Sequence, residues 1–269
     1  MIICVIQARL GSKRFSGKVL KKIGEKSAIE HMISQVKKSK KINKLIVATT
    51  EKKKDDRLCN FLNFKKIEFF RGSENDVLTR IYNSISIFSP KYVVRLTADC
   101  PFIDPILIDK SINLIRKNNS LDYVSNVHPP TFPDGMDVEV IKFNVLKKIY
   151  QSASLKSERE HVTTRIWMNP KKFNLGVISS KKDFSFMRLT LDYKEDLYVL
   201  KKLYQLMGNQ VLPVNKIISI LINNMNILKI NSKFKREEGL KRSLKFDNKI
   251  KNIRYIIKEN EKKILKYRG

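Results

Sequence analysis

Ile2-Ile3-Cys4-Val5-Ile6, followed at once by Gln7-Ala8-Arg9-Leu10-Gly11-Ser12-Lys13-Arg14-Phe15-Ser16-Gly17-Lys18, decides how the rest of the chain is read. Five apolar residues in a row predict a buried strand. The chain then turns polar and becomes a loop with two glycines, four cations and two serines. Glycines let backbone N–H groups approach an anion closely, and the cations neutralise it. The anion such a loop suits is a polyphosphate. A basic surface loop after an edge strand is the plainer alternative, but the density of glycines and cations favours phosphate. It is not the Walker loop, because Gly17-Lys18 is followed by Val19 and not by Ser or Thr.

Working outward, strand and helix patterns alternate. Ser27 to about Lys38 carries apolar residues at helical spacing, and Lys44–Thr49 reads as a second buried strand. A helix is expected over Asp55–Phe64, a strand over Ile67–Phe70, and a helix capped by Asp76. Tyr92–Thr97 is a fourth strand, and Asp104-Pro105 supplies a cap and first-turn proline for the next helix. Four such alternations in 116 residues predict an α/β fold, a mostly parallel sheet sandwiched by helices. Right-handed crossovers put the loops that follow the strands on one edge, where such folds bind ligands. The Gln7–Lys18 loop and the Asp99 turn should therefore face one crevice.

Beyond Leu121 the pattern loosens. Strands are expected at Asp122–Asn126, Met136–Phe143, Lys172–Ser179 and Met187–Leu191. Helices are expected at Glu158–Met168, Glu195–Met207 and Pro213–Asn223. This gives a catalytic domain over residues 1–210 and a basic helical extension over 211–269, with an amphipathic helix at Lys249–Tyr267. Residues 224–269 carry no catalytic constellation of their own and read as structural.

Formal net charge is +29, from 55 Lys and Arg against 26 Asp and Glu. Such a charge raises a nucleic-acid reading. It is spread over the whole chain, is dominated by lysine, and comes with no nucleic-acid-binding motif, so no nucleic-acid partner is expected. No apolar run reaches the roughly 18 residues needed to span a bilayer. The N-terminus lacks the basic region of a signal peptide. The expectation is a cytoplasmic protein with no membrane insertion. Three scattered cysteines and no Cys-x-x-Cys point to reduced thiols without a zinc site.

Asp99 follows an apolar strand in Arg95-Leu96-Thr97-Ala98-Asp99-Cys100-Pro101. A carboxylate there suits Mg²⁺, which takes one or two carboxylates and completes its shell with phosphate oxygens and water; it also suits a helix cap. Asp192, in Arg188-Leu189-Thr190-Leu191-Asp192, has an equivalent setting and the same two readings. Two other charged constellations stand out: Thr131-Phe132-Pro133-Asp134-Gly135-Met136-Asp137-Val138-Glu139 and Ser157-Glu158-Arg159-Glu160-His161-Val162-Thr163. By themselves they read as a turn and a solvated first helical turn. Arg159 could pair bidentately with a carboxylate or phosphate.

In order and spacing these motifs resemble the cytidylyltransferases that make CMP-activated sugar acids. Within that group the likeness is greatest to the spore coat polysaccharide biosynthesis protein F family. The likeness runs from Ile2 to about Leu206 and resumes at Lys235–Leu244. Ala98 stands where the family has Gly, and Tyr193-Lys194 where it has Thr-Pro. The resemblance implies a Rossmann-like fold of the nucleotide-diphospho-sugar transferase type and transfer of CMP from CTP to a nonulosonate or 3-deoxy-octulosonate. It implies Mg²⁺ on Asp99 and Asp192, and catalytic roles for Arg9, Lys18, Asp99 and Asp192. Gln7, Ala8, Arg9, Gly11, Ser12, Arg14, Lys18 and Thr97 would bind the nucleotide. Asp134, Asp137, Glu139, Glu158, Arg159 and His161 would line the acceptor side. It also implies a homodimer and a role in surface polysaccharide synthesis. The alternatives weighed are a sugar-1-phosphate nucleotidyltransferase, a glycosyltransferase of the same fold, and a basic nucleic-acid-binding protein.

Overall fold

A computed structural model describes residues 1–247 and 265–268. Among the described residues ten strands run in chain order: β1 (Ile2–Gln7), β2 (Lys22–Ile23), β3 (Lys26–Ser27), β4 (Lys44–Thr50), β5 (Phe69–Gly72), β6 (Tyr92–Thr97), β7 (Tyr123–Ser125), β8 (Glu139–Lys142), β9 (Leu175–Ser179) and β10 (Leu265–Arg268). Helices among them are α1 (Ala28–Val36), α2 (Asp56–Phe64), α3 (Val77–Ile85), α4 (Pro105–Lys117), α5 (Phe143–Ser152), α6 (Lys156–His161), α7 (Thr164–Trp167), α8 (Lys194–Leu206), α9 (Val214–Ile222), α10 (Met225–Lys229) and α11 (Glu238–Phe246). The main sheet has eight strands in the order β10-β9-β7-β8-β6-β1-β4-β5. Neighbours pair in parallel except where β8 meets β6 and β7.

The apolar run of β1 is continuous because both faces of the sheet are covered. Cys4 and Ile6 pack into one apolar cluster with α1 and α4, and Ile3 and Val5 into another with α3 and α5. β1 lies between β4 and β6, with Gln7 opposite Ala48 and Thr97. That register puts the loops after these three strands on one edge. Ser27 caps α1 through a capping box with Glu30, Asp76 caps α3, and Asp104 caps α4 ahead of Pro105. Among the described residues no helix is long and apolar enough to cross a membrane.

Several expected elements differ. The helix expected at Glu158–Met168 is two short ones, because Val162 between them adopts φ 61°. There Thr163 turns its buried hydroxyl to Glu139 at 2.5 Å. Met187–Leu191 is not a strand: its backbone makes a bridge between Arg188 and Asp134, while the Arg188 side chain is drawn into ion pairs. The strand expected at Met136–Phe143 shortens to β8, and α5 follows it directly. Of the helix expected at Lys249–Tyr267, residues 249–264 lie outside the described residues. Leu265–Arg268 instead form β10 on the edge of β9. α9 buries Ile217 and Leu221 in the main core.

Candidate active site

The strand-end loops meet as their register requires. The backbone N–H of Ala98 donates to the Gln7 carbonyl (3.0 Å), and that of Ala8 to the Ala48 carbonyl (3.1 Å). The Leu10 N–H donates to buried Asp55 (2.6 Å), which fastens the basic loop to the end of β4. Gly11 lies where a Cβ would meet the Lys54 ammonium nitrogen at 2.3 Å. Lys54 and Arg9 share Glu74, at 2.7 and 3.3 Å. Lys18 is buried, and its ammonium lies between two carboxylates, 2.6 Å from Asp99 Oδ2 and 2.7 Å from Asp192 Oδ1. Arg14 Nη2 donates to the same Asp192 oxygen at 2.6 Å. Burial alone would lower the Lys18 pKa, but Asp99 and Asp192 outweigh it and hold the ammonium above its ordinary range. Burial would likewise raise Asp192, yet Lys18, Arg14 and Arg188 bring it down to about 2.

A cavity of about 230 Å³ opens beyond this cluster, walled by Thr97, Asp99, Asp134, His161, Trp167 and Arg236 among others. Arg188 is its buried organiser. It donates to Asp196 Oδ1 (2.9 Å), Asp134 Oδ2 (2.9 Å) and Asp192 Oδ2 (3.2 Å), tying the two sides together. Gly135 adopts φ +102°, and a Cβ there would meet the Leu189 backbone at 2.6 Å, so the Asp134 turn needs glycine to approach Arg188. Glu139 accepts from Tyr123 and Thr163 at 2.5 Å and pairs with Arg95, whose other donors go to Gln7. Burial raises Asp134 to about 7, helped by neighbouring Asp137 and opposed by Arg236 and Arg188. Ser243 Oγ donates to Glu160 (2.7 Å) and so accepts from His161 Nε2–H (3.0 Å), leaving Nδ1 unprotonated. Burial pushes the imidazole below its ordinary pKa, against the pull of Glu160.

Of the residues singled out from the sequence, Arg14, Thr97, Asp99, Asp192, Asp134, Asp137, Glu139 and His161 line the cavity. Lys18 joins them through its two carboxylates. Gln7 serves Arg95, while Ala8, Arg9, Gly11 and Ser12 lie along the sheet edge outside the cavity wall. Glu158 and Arg159 are not brought in. Glu158 accepts from the Ser154 N–H and from Arg165 (3.1 and 3.0 Å), facing a second pocket with Lys148 and Lys172. The Arg159 guanidinium donates to the Ala153 carbonyl at 2.6 Å and pins α6 to α3 through Thr79.

Sequence reasoning missed Arg188, although a signal was present. Arg95-Leu96-Thr97-Ala98-Asp99 and Arg188-Leu189-Thr190-Leu191-Asp192 share one pattern, and each arginine lies under the site. It also missed residues 235–240. They belong to a stretch read as purely structural, yet they line the cavity. Charge alone gave no hint of this, because those cations stand among many other lysines; the signal present was that the family likeness resumes at Lys235–Leu244.

The two carboxylates fit a divalent cation. Asp99 and Asp192 already converge on one positive charge, that of Lys18, and Mg²⁺ usually takes one or two carboxylates. Among the described residues no group of three or more His, Cys, Asp or Glu is placed to hold a metal ion, so the rest of the shell would fall to phosphate and water.

The profile of the family described as Cytidylyltransferase matches residues 3–219. The chain is 33% identical over 232 residues to the spore coat polysaccharide biosynthesis protein SpsF of Bacillus subtilis, covering 83% of this chain and 95% of that one. It is 26% identical over 217 residues to the 3-deoxy-manno-octulosonate cytidylyltransferase of Elusimicrobium minutum, covering 78% and 87%. A solved cytidylyltransferase from Leptospira borgpetersenii superposes with a TM-score of 0.82 at 30% identity, covering 87% of this chain and 99% of that one.

Proposed function

We propose, from the premise that the chain belongs to the cytidylyltransferase family and is a nucleotidyltransferase related to the CMP-sugar-acid synthetases, that it transfers CMP from CTP to a sugar acid. The acceptor is of the nonulosonate or 3-deoxy-octulosonate type, and the product serves surface polysaccharide synthesis. The observation that carries this reading is the Lys18 ammonium held between Asp99 and Asp192 on the wall of one cavity.

The acceptor hydroxyl attacks the α-phosphorus of CTP: the new O–P bond forms, the bond to the β-phosphate oxygen breaks, and pyrophosphate leaves. Such a displacement needs positioning and charge neutralisation more than covalent help. Lys18 and Arg14 lie on the carboxylates that would hold Mg²⁺. When a triphosphate enters, these cations turn to its oxygens and free the carboxylates. Asp99 and Asp192 would hold Mg²⁺, which when bound would supply further charge neutralisation. Arg9 and Ser12 extend the phosphate cradle along the sheet edge, and the backbone at Ala8 faces the base. The acceptor lies on the side of Asp134, Asp137, Glu139 and His161.

Pyrophosphate release is the test, with each of the four NTPs against a panel of sugar acids and sugar 1-phosphates, with and without Mg²⁺. The expected result is release with CTP and a sugar acid and only with Mg²⁺. Release with sugar 1-phosphates, or with another NTP in preference to CTP, overturns the reading.

A further inference from the structure

We propose that Arg236, on the segment entering α11, is the receptor for the carboxylate of the acceptor. This rests on the sugar-acid reading above, because it assigns the charged end of that same acceptor.

A sugar acid brings a carboxylate into a cavity already rich in carboxylates, so some cation must receive it. Arg14 and Lys18 belong to the triphosphate side, where they hold Asp192. Arg95 is committed: Nε and Nη2 donate to Gln7 (3.1 and 2.9 Å), and Nη1 to Glu139. Arg188 is committed more fully, to Asp134, Asp192 and Asp196, and is buried. Lys235 is exposed at the rim. Arg236 remains. Its Nη2 donates to Asp137 and its Nη1 reaches the Phe132 carbonyl at 3.4 Å. Its Nε stands 3.8 Å from Asp134 Oδ1, beyond hydrogen-bond distance, and the hydrogen bonds among the described residues come from Nη1 and Nη2. A guanidinium has five N–H donors in a fork that matches a carboxylate. Of the cavity arginines on the acceptor side, Arg236 has the most spare donors.

The segment is fastened so that Arg236 points inward. Phe234 stacks on Tyr193 with centroids 3.7 Å apart, and Glu238 accepts from the Tyr193 hydroxyl at 2.9 Å. Asn231 donates to Asp196 at 2.9 Å and to the Arg188 carbonyl at 3.1 Å. Glu237, the next residue, is held at φ 64°, a conformation that is unfavourable for a non-glycine residue and persists only where its surroundings impose it. A further carboxylate is admissible here because burial keeps Asp134 able to hold a proton up to about pH 7.

The test compares Arg236→Gln, Arg236→Lys and Lys235→Gln with the unsubstituted protein. The probes are 3-deoxy-manno-octulosonate, N-acetylneuraminate and the methyl ester of each, with CTP and Mg²⁺, and thermal midpoints are measured alongside. Arg236→Gln should lower kcat/KM for the acids by roughly 10- to 100-fold, the value of a hydrogen bond to a charged group, and leave the esters and the CTP KM unchanged. Arg236→Lys, which keeps the charge without the fork, should fall between and serves as the readout if the glutamine variant does not fold. A purely structural role lowers acid and ester together, and that result overturns the proposal. So does loss of acid preference in Lys235→Gln in place of Arg236→Gln. If the unsubstituted protein uses none of the acids, the sugar-acid reading itself fails and takes this role with it. An unsubstituted protein that prefers acids, with a glutamine variant that still does, removes Arg236 alone.

Discussion

Asp192 and Asp134 both accept from Arg188 and both face the same cavity, yet one is held near pKa 2 and the other near 7. Both are taken from water, which raises a carboxylate. Asp192 is returned far below its ordinary value because Lys18, Arg14 and Arg188 surround it. Asp134 is not, because Asp137 adds a like charge that Arg236 and Arg188 only partly offset. The side proposed for the nucleotide thus carries cations clustered on two carboxylates, a set suited to a triphosphate. The acceptor side carries carboxylates fixed by hydrogen bonds, suited to hydroxyl groups and to one matched anion. The division follows from where the side chains originate. Arg14 comes from a loop and is partly exposed, and Lys18 opens a short 3-10 helix and is held by Asp99 and Asp192, whereas Glu139 comes from a strand and is held from three directions.

The largest expected effect tests that rigidity. Glu139→Ala leaves the Arg95 guanidinium, its side chain 10% exposed, without its counter-charge, and breaking such a nearly buried pair from one side costs roughly 3–5 kcal/mol. Chemical denaturation should show a loss of that size. A loss under about 1 kcal/mol would mean that the acceptor wall is as loose as the phosphate side.

Next come Asp99→Asn and Asp192→Asn, which should each lower Mg²⁺-dependent CMP transfer at least about 10²-fold while the fold persists. Steady-state pyrophosphate release and circular dichroism decide it. Normal turnover in either variant removes that residue from the metal site.

Lys18→Ala and Arg14→Ala should weaken CTP binding by roughly tenfold each, the scale of one charge-assisted hydrogen bond, and leave the acceptor KM unchanged. Calorimetric titration with CTP measures it. Equal weakening of both substrates would erase the distinction between the two sides.

The nucleotide side was legible in the sequence because its parts are local. An apolar run, a glycine-bearing basic loop and a strand-end aspartate each announce themselves within a dozen residues, and parallel register brings them together. The acceptor side was legible only in part. Asp134, Asp137 and His161 stood in recognisable motifs, but Arg236 meets Asp137 across 99 positions, from a stretch where cations are too common to signal anything. Arg188 was readable through the repeated Arg-Leu-Thr-x-Asp pattern. The break at Val162 was not, because its positive φ goes with Thr163 bonding to Glu139 far away in the chain. Helical periodicity therefore ran on past a turn that tertiary contacts impose.

The smallest expected effect marks where the acceptor side ends. Arg159 has the chemistry of an anion receptor, and its motif borders His161, but its guanidinium is engaged elsewhere. Nε and Nη2 donate to the Ala153 carbonyl at 3.0 and 2.6 Å, and Nη1 reaches Thr79 and Asp76 at 3.3 and 3.5 Å. These contacts close the turn between α5 and α6 and join α6 to the start of α3. Arg159→Ala should then lower stability by about 1 kcal/mol or less, since the pair with Asp76 is long and partly solvated. It should leave the acceptor kcat/KM within about twofold, because a residue outside the cavity contributes no transition-state contact. Measured beside Arg236→Gln with the same acid and ester, it is the control for the whole division. An acid-selective loss in Arg159→Ala would move the anion receptor from the α11 segment to α6, and would place the acceptor in a pocket that opens only when Arg159 leaves the Ala153 carbonyl.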